Sequence, residues 1–134
     1  MKKELIPEVN STTRHFKAIF PDTLNANETL FGGKTLMWMD EIAFITATRF
    51  THQKMFTVKT EDIVFSHSVS PGSIIEIVGT VVSRGTIKLK INVEVFAEEM
   101  YGNGREKAAE GIFVFAALDE NKKPERINYI NRFE

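Results

Sequence analysis

The stretch KTLMWMDEIAFITATRFT, residues 34–51, decides the fold of this chain. Its apolar residues recur at spacings of three and four, the period of an α-helix, and one face carries Leu36, Met39, Ala43, Ala47 and Phe50. Most of the remaining positions are apolar too, and a helix that is apolar nearly all round is a buried one. At 1.5 Å per residue such a helix is about 27 Å long, enough to lie across a whole sheet. The stretch therefore predicts one long buried helix.

The sequence on either side of this helix is typical of β-strands. Residues 88–96 alternate strictly, with Leu89, Ile91, Val93 and Val95 on one face and polar residues on the other. This pattern indicates a sheet with one buried and one solvated face. Residues 112–118 are almost all apolar, which favours a central strand. Further strands are predicted at residues 12–20, 56–65 and 74–83, with turns at 70–73, 84–85 and 101–104 and an ordered loop at 22–33.

These elements predict a single α+β domain spanning the whole chain of 134 residues. One helix wrapped by a five- to six-stranded antiparallel sheet is the simplest arrangement that buries the apolar surfaces of both the helix and the sheet. Residues 1–11 and 126–134 are expected to be loose termini. Because a domain of this size with one helix leaves apolar edges and faces uncovered, we expect at least a homodimer, with a tetramer or hexamer beyond it.

The overall composition excludes several classes of function. Seventeen basic against eighteen acidic residues give a net charge of −1, which argues against a bulk nucleic-acid binder because such proteins carry a basic stripe. The absence of cysteine removes disulfides, thiolate metal sites and cysteine nucleophiles. Residues 1–10 have no apolar run behind their two lysines, so no signal peptide is predicted. No apolar stretch is long enough for a membrane span, and we expect a cytoplasmic protein.

Four residues at and before the helix are candidates for catalysis. Gly32 and Gly33 leave backbone N–H groups open at its positive end, where an oxyanion of acyl transfer would be stabilised. Glycines that merely let the chain turn give the same pattern. Asp40 lies two turns inside the helix among apolar neighbours, where a carboxylate needs a partner or a task unless it shares a solvated stripe with Glu41. Asn25 alone is an ordinary turn residue.

The three histidines do not have the pattern of a metal site. His15, His52 and His67 share neither a helical face nor the spacing of metal ligands. We therefore expect each of them to be structural or exposed rather than catalytic, and we predict no metal centre.

The loop and helix together resemble the hot-dog acyl-CoA thioesterases, in particular the branch of the bacterial short- and medium-chain acyl-CoA hydrolases and the brain-type acyl-CoA hydrolase. That branch has an asparagine, a loop, Phe-Gly-Gly or His-Gly-Gly, and an aspartate seven residues after the second glycine. In this chain these are Asn25, Phe31-Gly32-Gly33 and Asp40. The likeness continues through residues 65–72 and 85–86 into INVEVF, residues 91–96, and covers roughly residues 12–125.

The resemblance implies hydrolysis of acyl-CoA to a carboxylic acid and coenzyme A without metal or cofactor, since coenzyme A is part of the substrate. The thioester carbonyl would meet the amide of Gly32, and that of Gly33 as a second donor. Asp40 would act as general base on water or as nucleophile through an anhydride, and Asn25 would orient the water or the carbonyl. In the family the carboxylate comes from the other subunit. Relatives contact coenzyme A at the positions of Arg84, Gly85 and Thr86, with Lys122, Lys123 or Arg126 as candidates for its phosphates.

Two departures from the family and three alternative functions stay open. His67-Ser68 stand where relatives often have a basic residue and proline, and the tail NYINRFE, residues 128–134, has no obvious counterpart. A hot-dog dehydratase or hydratase would want a histidine near the helix start, where this chain has Phe31. A non-catalytic acyl-CoA-binding or regulatory domain would keep the fold without turnover. The third alternative is a structural protein, whose only function would be to form a homo-oligomer.

Overall fold

The structure is a computed structural model that describes residues 11–30 and 32–129, apart from the side chain of Thr23. Residues 1–10, Phe31 and residues 130–134, which include most of the termini predicted to be loose, lie outside the described residues. One strand, one long helix and four strands follow each other as predicted. Their bounds are β1 (Thr12–Ala18), a short 3-10 helix (Pro21–Thr23), α1 (Gly32–Thr51), β2 (Met55–Phe65), β3 (Ser73–Arg84), β4 (Lys88–Glu99) and β5 (Arg105–Ala117).

The five strands form one antiparallel sheet in the order β1-β3-β4-β5-β2. The sheet thus has the lower of the two predicted strand numbers. β5, whose residues 112–117 are all apolar, lies in the interior of the sheet between β4 and β2, while β4 is the central strand. The two edges are β1, with 7 residues, and β2, with 11 residues.

Alternation along β4 decides which face of the sheet meets the helix. Leu89, Ile91, Val93 and Val95 are fully buried at 0% exposure, as their spacing predicted. They form the centre of the hydrophobic core together with the inner residues of β3 and β5 and one side of α1. Burying this apolar area is the main free-energy gain of the fold.

The helix packs closest to the sheet where it crosses Gly79 of β3. A Cβ atom at this position would lie 2.5 Å from the Thr46 Oγ1 atom of α1 and 3.4 Å from the Ile42 carbonyl oxygen. Glycine therefore lets the helix backbone approach the strand. The Thr46 hydroxyl donates a hydrogen bond of 2.7 Å to that same carbonyl, which keeps it satisfied in the core.

The sheet packs against one side of the predicted long helix α1, and several of its other apolar residues are exposed in one subunit. Met39, Ala43 and Ala47 are fully buried as predicted, but Leu36 is 37% exposed. Leu36 lies on this same face near the start of the helix, and the sheet leaves a second, neighbouring apolar face of α1 uncovered among the described residues. That uncovered face includes Met37 and Phe44, which are 50% and 46% exposed.

The outer face of the sheet carries a buried carboxylate between two arginines. The Glu76 carboxylate on β3 is 3.3 Å from the Arg14 guanidinium and 2.6 Å from that of Arg105. Only 7% of the Glu76 side chain is exposed. Burial acts to raise the pKa of Glu76, but hydrogen bonds and charge from Arg105 and Arg14 outweigh it and hold the pKa below its usual value.

Residues 126–129 pack against the end of the domain, so the tail predicted to be loose from residue 126 does not begin there. Ile127 is only 4% exposed, and its amide donates to the Thr86 carbonyl at 2.8 Å. The Asn128 amide donates to the Gln53 side chain, and the Tyr129 hydroxyl donates to the Gly85 carbonyl. We call residues 125–129 the C-terminal strap.

Within residues 11–30 and 32–129, no helix has both the length and the apolar character needed to cross a membrane.

Candidate active site

The loop before the helix is ordered around the side chain of Asn25. Its Oδ1 atom accepts hydrogen bonds from the Asn27 amide at 2.8 Å, from the Thr29 amide at 3.1 Å and from the Thr29 hydroxyl at 3.1 Å. The Asn25 amide in turn donates to the Thr29 carbonyl at 2.7 Å. This is the local turn chemistry that asparagine favours. It confirms the predicted ordered loop and fixes the position of the Asn25 side chain.

Asn25 and Gly32 line one cavity of about 280 Å³ at the start of α1. Gly32 is the first residue of the helix, so its N–H is one of the donors that have no acceptor inside the helix. A Cβ atom at Gly32 would meet nothing within 4 Å, which leaves room for a ligand. Gly33 is exposed and does not line this cavity. The other lining residues are Thr29, Leu30, Thr35, residues 65–69, Ala108 and Ala109.

Asp40 lies on α1, outside this cavity and half-buried beside the edge strand β2. It follows Gly32 by eight residues, which is about 12 Å along the helix axis. The Thr57 hydroxyl of β2 donates a hydrogen bond of 2.9 Å to Asp40 Oδ1. Asp40 is thus neither an unpaired buried charge nor a fully solvated one. One carboxylate oxygen is fixed by a neutral hydroxyl.

Thr57 is a site residue that sequence reasoning missed. Thr57 follows Asp40 by 17 residues that include the end of the helix and the turn into β2, so no periodic pattern connects the two. Their contact depends on how the helix crosses the strand, which is a tertiary feature.

His67 also lies at the candidate site, which its sequence pattern did not predict. It lines the cavity that holds Asn25 and Gly32, and its Nδ1 atom lies 3.7 Å from the Glu106 carboxylate. Its side chain is 52% exposed, as expected for a histidine without a structural role in the core. Among the described residues, no group of His, Cys, Asp or Glu side chains is arranged to hold a metal ion.

The turn between β3 and β4, with Arg84, Gly85 and Thr86, lies at the other end of the helix. The Gly85 amide donates to the Lys88 carbonyl at 2.8 Å, and a Cβ atom at Gly85 would lie 2.7 Å from that oxygen. The turn therefore requires glycine. Its neighbours include Phe50 at the end of α1. The structure thus places these three residues apart from the Asn25 cavity. Lys122, Lys123 and Arg126 are exposed in the segment after β5.

Comparison with known proteins identifies the family. Residues 27–102 match the sequence model of the thioesterase superfamily. The acyl-CoA thioester hydrolase YciA of Salmonella typhimurium is 35% identical over 108 residues, which cover 78% of this chain and 80% of that relative. The chain therefore belongs to the thioesterase superfamily.

Solved structures narrow this class to the acyl-CoA thioesterases with a hot-dog fold. An apo-hexameric acyl-CoA thioesterase has a TM-score of 0.85 and 28% identity, covering 87% of this chain and 75% of that one. The Staphylococcus aureus acyl-CoA hydrolase in complex with butyryl coenzyme A and coenzyme A has a TM-score of 0.83 and 28% identity, covering 89% and 73%. Variants of that hydrolase with an aspartate, a threonine or an asparagine replaced by alanine also match. The predicted hot-dog fold and enzyme class are confirmed.

Proposed function

We propose that this chain hydrolyses acyl-CoA to a carboxylic acid and coenzyme A at a site shared by two subunits. One subunit contributes Asn25 and the Gly32 amide, and the other contributes Asp40 with Thr57. The observation that carries the proposal is the separation of these groups within one chain. Asn25 and Gly32 share a cavity, whereas Asp40 lies outside it and is hydrogen-bonded to Thr57 of the edge strand β2.

The edge strand β2 supplies the surface on which a second copy would pack. Among the residues that the structure describes, β2 pairs only with β5, and no strand lies along its other edge. Four large apolar side chains of β2 are between 46% and 54% exposed. A second β2 strand would satisfy the backbone groups, and the uncovered faces of two α1 helices would meet beside it. The exposed apolar residues are Phe56, Val58, Val64 and Phe65 on β2 and Leu36, Met37 and Phe44 on α1.

Antiparallel pairing of two β2 strands would join the two halves of the site. Thr57, beside Asp40, lies near the start of β2, and Phe65, which lines the Asn25 cavity, is its last residue. These ends are eight residues apart, about 26 Å along an extended strand. A two-fold axis through the middle of β2 sets the Thr57 end of one strand against the Phe65 end of the other. Each Asp40 would then face the cavity of its partner.

The proposed chemistry uses the groups that the two halves offer. The thioester oxygen accepts from the Gly32 amide, so that charge on this oxygen is stabilised as the carbonyl carbon is attacked. Thr57 holds one oxygen of Asp40, which leaves the other to take a proton from water or to attack directly. Collapse of the tetrahedral intermediate breaks the C–S bond, and coenzyme A leaves as a thiolate that takes up the proton lost by water. Where Asp40 attacks directly, the acyl group is left as an anhydride on Asp40, and water then hydrolyses this anhydride to release the carboxylic acid. The proposal requires no metal or further cofactor.

The relatives support hydrolysis over the alternative functions. The S. aureus hydrolase was studied with an asparagine, an aspartate and a threonine each changed to alanine, and these positions are 15 and 17 residues apart. Asn25, Asp40 and Thr57 have the same spacing. Dehydration or binding without turnover has no comparable support.

Hexameric acyl-CoA thioesterases among the similar structures support a hexamer built from such dimers. The cytoplasmic location stays a prediction from sequence.

Mixing two inactive variants tests the shared site. Asn25→Ala and Asp40→Asn are unfolded and refolded together, and hydrolysis of a panel of acyl-CoA esters is followed by the free thiol released. The protein has no cysteine and adds no thiol background. Random reassociation gives about half mixed dimers, each with one intact site, so roughly a quarter of wild-type activity is expected to return. Native mass spectrometry confirms the subunit exchange.

The matched control mixes Asp40→Asn with Thr57→Val. Both changes affect the half-site that one chain contributes, so every site of the mixed dimer keeps a defect and no recovery beyond the average of the parents is expected. Recovery in this control, or a first mixture no more active than its components, would contradict the shared site. Absence of thiol release by the wild-type protein with every ester would overturn the hydrolase function itself.

A further inference from the structure

The Arg84 side chain at the end of β3 is held by two aromatic rings. Its guanidinium carbon lies 4.8 Å from the centre of the Phe50 ring and 5.9 Å from that of Tyr129. The two rings also contact each other, with centroids 6.0 Å apart. Cation–π contacts of this kind hold a guanidinium by its faces. Phe50 belongs to α1 and Tyr129 to the C-terminal strap, so Arg84 depends on both elements for its position.

This arrangement leaves the in-plane N–H groups of Arg84 open to a ligand. Arg84 is exposed, and within residues 11–30 and 32–129 no carboxylate lies within ion-pair distance of it. By contrast, Arg14 and Arg105 both pair with Glu76. The planar fork of a guanidinium matches the oxygens of a phosphate and binds them through two parallel hydrogen bonds.

The C-terminal strap fixes Tyr129 through its backbone and its hydroxyl. The Tyr129 hydroxyl donates to the Gly85 carbonyl at 2.7 Å, and the Ile127 amide donates to the Thr86 carbonyl at 2.8 Å. Burial raises the pKa of Tyr129, although the Arg84 charge acts in the opposite direction. The phenol therefore keeps its proton at neutral pH and remains a hydrogen-bond donor. The strap thereby ties the ring to the same turn that carries Arg84.

We infer that Tyr129 is a positioning residue that, together with Phe50, presents Arg84 to a phosphate of the coenzyme A moiety. The inference rests on the proposed acyl-CoA substrate, which is anionic at the end remote from its thioester. Phe50 follows Asp40 by ten residues, about 15 Å along α1, so this guanidinium is remote from the reacting bond. The exposed cations Lys122 and Lys123, in the segment that leads into the strap, and Arg126, in the strap itself, add positive charge at this end.

Calorimetric binding of coenzyme A, and of pantetheine, which lacks the phosphates, tests the inference. Arg84→Ala is expected to weaken coenzyme A binding roughly tenfold. Tyr129→Leu keeps an apolar side chain without the ring and is expected to weaken it about fivefold. Tyr129→Phe keeps the stacked ring and should restore most of the affinity. Because both residues act on one contact, the double variant should bind no more weakly than Arg84→Ala alone, and pantetheine binding should not change.

Tyr101→Ala is the matched control, since Tyr101 is 99% exposed and lies in the turn between β4 and β5. Equal losses for coenzyme A and pantetheine in Tyr129→Leu, or additive losses in the double variant, would reduce Tyr129 to a structural role and overturn the inference. If Tyr129→Leu does not fold, unchanged coenzyme A binding by Arg84→Ala still overturns it. Binding needs no turnover. A wild-type protein that binds coenzyme A through Arg84 but releases no thiol would therefore contradict the proposed function alone.

Discussion

Two carboxylates of this molecule, Asp40 on the helix and Glu76 on the outer face of the sheet, lie in opposite chemical environments. Glu76 contacts two guanidiniums, which hold its pKa below the usual value. Asp40 accepts a hydrogen bond from the neutral Thr57 hydroxyl. Glu76 gains stability from its two arginines, whereas no cation within residues 11–30 and 32–129 forms an ion pair with Asp40.

The difference shows how a carboxylate is kept available for chemistry. A base or nucleophile must offer a lone pair that is not already engaged by a strong donor. Two arginines occupy the oxygens of Glu76, while Thr57 occupies one oxygen of Asp40 and fixes its direction. The comparison predicts that changes at Asp40 affect the rate and changes at Glu76 affect stability.

The largest expected effect is the loss of turnover in Asp40→Asn. The amide keeps the shape and the hydrogen bond from Thr57 but removes the basic oxygen, so kcat is expected to fall about a hundredfold or more. The urea midpoint should stay within error of the wild type. Steady-state thiol release and urea unfolding measure the two quantities. A variant that keeps more than about a third of wild-type kcat would remove Asp40 from the mechanism.

Glu76→Gln is expected to reverse this pattern. The change leaves two arginines without their carboxylate, and the free energy of unfolding should fall by about 1–2 kcal/mol. The loss is expected to be small because solvent screens both guanidiniums, which are partly exposed. Urea denaturation at fixed protein concentration measures the loss. The kcat of the folded variant should equal that of the wild type, and a tenfold drop in kcat at unchanged stability would break the comparison.

Thr57→Val is expected to have a smaller effect on the rate than Asp40→Asn. Valine keeps the shape of threonine and removes the donor to Asp40. We expect kcat to fall about fivefold to tenfold, the factor that corresponds to the free energy of one neutral hydrogen bond. Thr57→Ser should recover most of the loss. Thr60→Val, on the same exposed strand, is the control and should leave kcat unchanged. Equal rates for Thr57→Val and the wild type would show that Thr57 does not position Asp40.

The smallest expected effect is the pH dependence of the Glu76 contribution. Because the folded state lowers the pKa of Glu76 from its usual 4.5, the stability it provides is present above that value and is lost as the pH falls through the lower, folded pKa. The difference in unfolding free energy between the wild type and Glu76→Gln should therefore be constant from about pH 6 to 8 and shrink below about pH 4.5. A difference that persists undiminished at pH 3 would mean that the Glu76 charge contributes nothing.

The features that the sequence predicted are those that depend on residues close to one another along the chain. Strict alternation identified the buried face of β4, and spacings of three and four identified α1. Asn25, Gly32 and Asp40 stood out because a turn former, a glycine at a helix start and an acidic residue in an apolar helix each carry a local signal. These local patterns predicted the fold. They do not test the catalytic roles of Asn25, Gly32 and Asp40, which stay proposals.

The features that sequence did not predict depend on contacts between distant segments. Thr57 is one of many strand residues until the crossing of α1 brings it to Asp40. Tyr129 belonged to a tail expected to be loose, and only its contacts with Phe50, Arg84 and Gly85 show that it packs. The sequence predicted that some apolar surface would be left uncovered, but it did not predict which residues of α1 form that surface, because apolar periodicity does not tell whether a residue is buried by its own chain or by another.

The exposed edge of β2 has a consequence for the chain before it meets a partner. A freshly folded subunit carries an uncovered strand with large apolar side chains, which is the kind of surface that seeds aggregation. Lys59, Glu61 and Asp62 interrupt the apolar residues in the middle of this strand, and such charges act as gatekeepers against repeated stacking. Expression yield and colloidal behaviour at low concentration should therefore depend on these three charges.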